Sequence, residues 1–316
     1  MAHYVLSALL CMAFLSANSQ SPEYPYPVKT IQLGMDLQTV KMAYMDVPAQ
    51  KTTGKTVLLL HGKNFNGYYW KDVILFLNGL GYRVIVPDQP GFGESEKPVM
   101  HYSFHQLAAG TKTLLDSLDI SRVTVIGHSM GGMLATRLAL MYPAKVEKLI
   151  LENPIGLEDY RTFVPYKPVD SLYRQERAAT YDSYKKYQQS YYPEWKPEYE
   201  ELVKAQAKML TQPNFDEIAR VNALTYQMIY EQPVCYEFKN ITTPTLLIIG
   251  QEDRTIVGKA LLSKEQKEAH GQYHMLGKQT RLQIKNSTLV ELPGVGHIPH
   301  IQSLELFKTH VAKFLQ

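Results

Sequence analysis

Buried strands and amphipathic helices leave different marks on a chain, and here the two alternate. Val28 to Leu33 and Thr39 to Val47 alternate polar and apolar positions, which predicts an antiparallel pair with one covered face. Thr56 to Leu60 (TVLLL) is a continuous apolar run, as a strand buried on both faces requires. A helix follows over Tyr68 to Leu80, ending at Gly81, and then a strand at Tyr82 to Val86. Phe104 to Leu118 is amphipathic, with Ser103 placed to cap it. Val123 to Ile126 is apolar and β-branched. It runs through a glycine turn into an Ala- and Leu-rich helix that ends near Tyr142-Pro143, and Val146 to Leu151 is a further buried strand. This strict alternation from Thr56 to Leu151 predicts an α/β fold: parallel strands, right-handed crossovers and helices on both faces of the sheet.

The alternation stops at Asn153-Pro154. Residues 155–238 are helical in pattern, hold no clear buried strand, and are crowded with tyrosines from Tyr160 to Tyr199. It resumes with a strand at Thr245 to Gly250, a helix-like segment over 258–270, a polar stretch, a strand at Ser287 to Leu292 and a final helix at Ser303 to Leu315. The pattern predicts one core formed by residues 20–154 and 239–316, interrupted by a helical cap over 155–238. The tyrosines read as cap packing rather than as a platform for sugars or aromatic ligands. The Lys/Glu/His-rich stretch 264–275 reads as a solvated face.

Composition narrows the partners. With 316 residues, 45% apolar and 20% charged, the chain has the make-up of a globular protein, and a formal net charge of +3 gives no reason to expect nucleic acid or an anionic membrane as partner. Tyr4 to Leu15 is almost wholly apolar, too short to span a bilayer and suited to the core of a signal peptide. Small residues at Ala17 and Ser19 allow cleavage before Gln20, so residues 1–19 are expected to be a leader and the protein periplasmic or secreted, with no stable membrane anchor. The processed chain then keeps one cysteine, Cys235, in an apolar-aromatic setting that suits packing. No Cys/His grouping has zinc spacing, and Gly91-Phe92-Gly93 lacks the third glycine of a dinucleotide loop, so neither metal nor cofactor is expected.

The chemistry centres on Gly127-His128-Ser129-Met130-Gly131, a sharp turn between strand and helix. Such a turn lifts a serine out of the sheet edge and aims the free N–H groups of the helix start at its surroundings. A serine hydroxyl needs a base, and the base needs an acid to orient it. Asp253 follows the strand ending at Gly250, and His297 follows the strand ending at Leu292. Both therefore lie at the carboxyl ends of parallel strands, the same end as Ser129. Glu152, just past its own strand, is a rival acid, but Asn153-Pro154 crowds the chain behind it. His300 and His128 are rival bases. His300 lies a few residues too far along, and the side chain of His128 should point away from Ser129. Met130 N–H is one expected oxyanion donor. The second is expected from the turn after TVLLL: Lys63 N–H first, Asn64 next, with His61 bracing the loop.

The segments LLLHGKNFNG, VPDQPGFGES, VIGHSMGGMLA, LLIIGQEDRT and LPGVGHIPH together resemble the α/β-hydrolase superfamily, in its branch with a helical cap. The resemblance spans about residues 56–300. It implies Ser129 as nucleophile, His297 as base, Asp253 as acid and Met130 with Lys63 as oxyanion hole, while Asp88 and Gly91 match a structural turn. A serine at the elbow argues against epoxide hydrolases and haloalkane dehalogenases, which need a carboxylate there. The implied activity is hydrolysis of a small or medium ester through an acyl-enzyme. The alternatives are a C–C, lactone or amide bond cleaved by the same triad, or a ligand-binding protein on a hydrolase scaffold.

Overall fold

A computed structural model describes residues 23–316; the expected leader lies outside the described residues. Eight strands form one sheet: β1 Val28–Met35, β2 Gln38–Val47, β3 Thr56–Leu60, β4 Arg83–Pro87, β5 Val123–His128, β6 Val146–Glu152, β7 Thr245–Gly250 and β8 Ser287–Leu292, in the order β1-β2-β4-β3-β5-β6-β7-β8. β1 pairs antiparallel with β2, and β2 antiparallel with β4; the remaining pairings are parallel. The first hairpin turns on Asp36 (φ 49°) and Leu37 (φ 62°), two left-handed residues that match the twist of the flanking strands.

The helices are α1 Lys71–Gly79, α2 Phe104–Ser117, α3 Met130–Met141, α4 Val169–Arg177, α5 Tyr181–Gln189, α6 Glu200–Ala207, α7 Phe215–Glu231, α8 Lys264–Ala269, α9 Tyr273–Gln283, α10 Pro299–Gln302 and α11 Leu304–Leu315. Ser103 caps α2 by accepting from Gln106 N–H, as its position predicts. Residues 130–139 of α3 are all buried, so this apolar helix lies inside the molecule against β5 and α2. Between β6 and β7 the described residues hold helices and no strand.

Three expectations are corrected. The segment 258–270 is a short 3-10 turn (Lys259–Leu261) followed by α8. The polar stretch after it contains α9, whose buried face is Tyr273, Leu276, Gly277 and Thr280. The helical spacing is present there, but two of its four positions are Gly and Thr, so an apolar pattern does not show it. Tyr273 also ends the solvated face early, because it is buried. The final helix lies where it was expected, as α11, and the short α10, which Pro299 opens, precedes it.

Within the 155–238 segment Tyr160, Tyr184, Tyr191, Tyr192, Tyr199 and Tyr230 are buried and pack, while Tyr166, Tyr187 and Tyr236 are exposed. Cys235 is a free, half-buried thiol against the core.

Candidate active site

The strand β5 ends in a turn that only this glycine pattern permits. Ser129 sits at φ 56°, ψ −121°, a conformation that costs an L-residue on the order of 1–3 kcal/mol and that its packed surroundings enforce. A Cβ on Gly131 would lie 2.1 Å from Leu60 O, and one on Gly127 2.3 Å from Gly131 O. The turn thus presses α3 against the end of β3, and Ser129 projects where the helix dipole is positive.

His297 Nε2 accepts from the Ser129 hydroxyl at 3.0 Å, and His297 Nδ1–H donates to Asp253 Oδ2 at 2.7 Å. All three residues are buried. Burial pushes the Asp253 carboxyl up, but the adjacent His297 and hydrogen bonds from His297, Thr255 and Asn153 outweigh it and hold the group below its ordinary value. Asn153 is a participant that sequence reasoning missed. Its Nδ2–H₂ donates to Asp253 Oδ2 at 2.8 Å while its Oδ1 accepts from Gly250 N–H at 2.9 Å. The signal available was an asparagine directly after a strand, and its left-handed φ of 35° is visible only in the structure.

The two rivals, Glu152 and His300, are brought to each other. Glu152 accepts from His300 N–H at 2.7 Å and from His300 Nδ1–H at 2.9 Å, and the His300 ring stacks on Trp70. Neither bonds to Ser129 or His297 side chains. His128 points away from Ser129, as expected, into a relay that sequence reasoning did not anticipate. Its Nε2–H donates to the His297 carbonyl at 2.9 Å; a carbonyl only accepts, so Nδ1 is free to accept from Tyr69 O–H at 3.1 Å. Tyr69 in turn accepts from Gly62 N–H at 2.9 Å. Burial first, and the neighbouring His297 and His300 next, hold the pKa of His128 well below its ordinary value, so it stays neutral as the relay requires. The relay ties the turn after β3 to the backbone of His297.

His61 braces that turn. Its Nε2 accepts from Gln89 N–H at 3.0 Å, and burial lowers its pKa. Asp88 holds the neighbouring loop through Gly67 N–H and Glu94 N–H, both at 2.7 Å. The N–H groups of Lys63 and Met130 donate to no acceptor among the described residues. Asn64 Nδ2–H donates to the Tyr191 phenolic oxygen at 2.8 Å. Tyr191, from the segment after α5, stacks on the His297 ring with centroids 4.7 Å apart, and its carbonyl accepts from His297 N–H at 2.7 Å. A cavity of about 590 Å³ opens beside the turn, walled by Lys63, Asn64, Phe65 and Tyr69 on one side and by residues of α6 and α7 on the other. Ser129 and His297 are not in its wall; the turn 61–65 is the element that the cavity and the serine share. Among the described residues no group of three or more His, Cys, Asp or Glu side chains is placed to hold a metal ion.

The family of the α/β-hydrolase fold matches residues 55–304. A probable hydrolytic enzyme from Pseudomonas aeruginosa PAO1, known from its crystal structure, is 46% identical, with 93% of this chain and 96% of that one covered and a TM-score of 0.91. A 2-hydroxy-6-oxononadienedioate/2-hydroxy-6-oxononatrienedioate hydrolase from Paraburkholderia phymatum is 32% identical over 240 residues, 72% of this chain and 80% of that protein. An uncharacterized protein from Mycobacterium tuberculosis is 41% identical over 105 residues; the alignment takes in 33% of this chain and spans 30% of that relative's length. With the parallel sheet, the strained serine turn and a family match over most of its length, this chain belongs to the α/β-hydrolase fold family.

Proposed function

We propose that the protein is a serine hydrolase that cleaves a small or medium ester through an acyl-enzyme. The observation that carries this reading is the unbroken chain Ser129–His297–Asp253 at the carboxyl end of the sheet, with the Lys63 and Met130 N–H groups free of acceptors among the described residues. His297 takes the proton of Ser129 as its oxygen adds to the ester carbonyl, and the N–H groups of Met130 and Lys63 hold the resulting oxyanion. The protonated imidazole, steadied by Asp253, gives the proton to the departing alcohol. Water, activated by the same base, then releases the acid and frees Ser129. The helical segment 155–238 serves as a cap over this end of the sheet and selects the substrate. Residues 1–19 direct the protein to the periplasm or the exterior, and no metal or cofactor is required.

A C–C bond is the second reading, because the relative from Paraburkholderia phymatum is named as a hydrolase of a hydroxy-oxo dienedioate. The test of the shared mechanism is intact mass after treatment with a fluorophosphonate, on wild type and Ser129→Ala. One adduct on wild type alone is expected, with at least a ~10³-fold loss of ester turnover in the variant. A folded wild type that takes no adduct overturns the reading.

A further inference from the structure

Three lysines line the cavity beside the turn: Lys63, Lys97 and Lys208. Lys208 pairs with Glu94, and Lys97 donates to the carbonyls of Gly93 and Ser95. Lys63 has neither an ion-pair partner nor a hydrogen-bond acceptor for its ammonium among the described residues, although its side chain is half-buried. Its position is deep enough that burial lowers its pKa, with the carboxylate of Glu176 opposing the shift. A group both deep and accessible is one reached through the cavity. The Glu176 carboxylate itself is engaged by Asn222 Nδ2, at 3.4 Å, and forms no ion pair with Lys63.

An ammonium held this way has lost part of its hydration with no carboxylate of the described residues in ion-pair contact, so a ligand anion would repay more there than at the surface. The same residue has its backbone N–H at the expected oxyanion position. A Cβ on Gly62 would lie 3.1 Å from the Ser129 Cβ, so the turn that bears Lys63 is against the serine. Lys63 also lines the cavity, and its flexible four-carbon stem lets one residue serve both places. Resting on the serine-hydrolase reading, we propose that Lys63 anchors a carboxylate on the acyl portion of the substrate, which makes half-esters of short dicarboxylic acids the favoured substrate class.

The experiment compares kcat/KM for 4-nitrophenyl hydrogen glutarate and 4-nitrophenyl pentanoate, which differ in a terminal carboxylate against a methyl, in wild type, Lys63→Met and Lys63→Glu. Wild type should favour the anionic ester, and Lys63→Met should lower the anionic-to-neutral ratio on the order of 10- to 100-fold, mainly through KM. Lys63→Glu should lower it further. Equal kcat/KM for the two esters in wild type, or a ratio unchanged in Lys63→Met, overturns the proposal. A second arm needs no turnover: titration of monomethyl glutarate into Ser129→Ala should show binding that is lost in Ser129→Ala/Lys63→Met. Equal binding, or none to either, counts against the anchor, whereas absence of the fluorophosphonate adduct counts against the serine mechanism alone.

Discussion

At the scale of single residues, the site depends on which acid faces which imidazole. Asp253 bonds to His297 and Glu152 bonds to His300, so removing the charge of each should have different effects. On the proposed serine mechanism, Asp253→Asn should lower kcat by at least ~10³-fold with the fold intact, because the amide no longer enforces the tautomer that accepts the serine proton. Glu152→Gln, which leaves an oxygen to accept from His300, should cost far less; steady-state kinetics on a short aryl ester separate the two. The same aspartate leaves a mark on stability. Its pKa in the folded protein is depressed below the ordinary 3.8, so it stabilises the fold fully above that value and loses the contribution as pH falls through the depressed one. The difference in denaturation midpoint between wild type and Asp253→Asn should therefore be flat from neutral pH down to mildly acidic conditions and shrink only below the ordinary carboxylate range.

At the scale of elements, the serine turn works because β3, β5 and α3 meet with no room between them. Gly131→Ala would set a methyl against Leu60 O and His61 O, both backbone atoms of the central strand end. A loss of at least ~2 kcal/mol is expected from guanidinium unfolding. Gly79→Ala is the control. Nothing lies within 4 Å of its added Cβ, and it sits in the last turn of α1, so it should leave stability unchanged or raise it by about 0.5–1 kcal/mol. Elements also mark the limit of pattern reading. α9 packs Gly277 closely on Ile249, 3.0 Å from where a Cβ would stand, and this close packing by a residue without a side chain removes part of its apolar signature.

At the scale of the whole molecule, the segment between β6 and β7 reaches the candidate site through Tyr191. That residue takes His297 N–H on its carbonyl, covers the His297 ring, and receives Asn64 from the turn after β3. Gly296 allows the approach, since a Cβ there would lie 2.1 Å from Tyr191 O. The segment is thus part of what holds the His297 ring in place. Tyr191→Phe keeps the stacked ring and should retain activity to within about threefold, whereas Tyr191→Ala should lower kcat by up to ~10²-fold, the cost of a loosened base. Equal kcat in the two variants would remove Tyr191 from the positioning of His297.

What the sequence alone determined follows from local demands. A strand covered on both faces must be apolar where it is buried, which exposes β3 and β7 along their length and the apolar runs within β5 and β6. A tight strand-to-helix turn must have glycine where backbones touch, which exposes Ser129. The carboxyl ends of parallel strands share one edge, which brings Asp253 and His297 into consideration. Partner choice was decided by tertiary structure, because it depends on separations between segments far apart in the chain. Ser129 and His297 are 168 residues apart, and Glu152 and His300 148, and only the packed sheet sets which pairs come within hydrogen-bond reach. The Asn153 bridge, the Tyr69–His128 relay and the ammonium of Lys63, without an ion pair among the described residues, belong to the same class. Each is defined by what surrounds a side chain after folding.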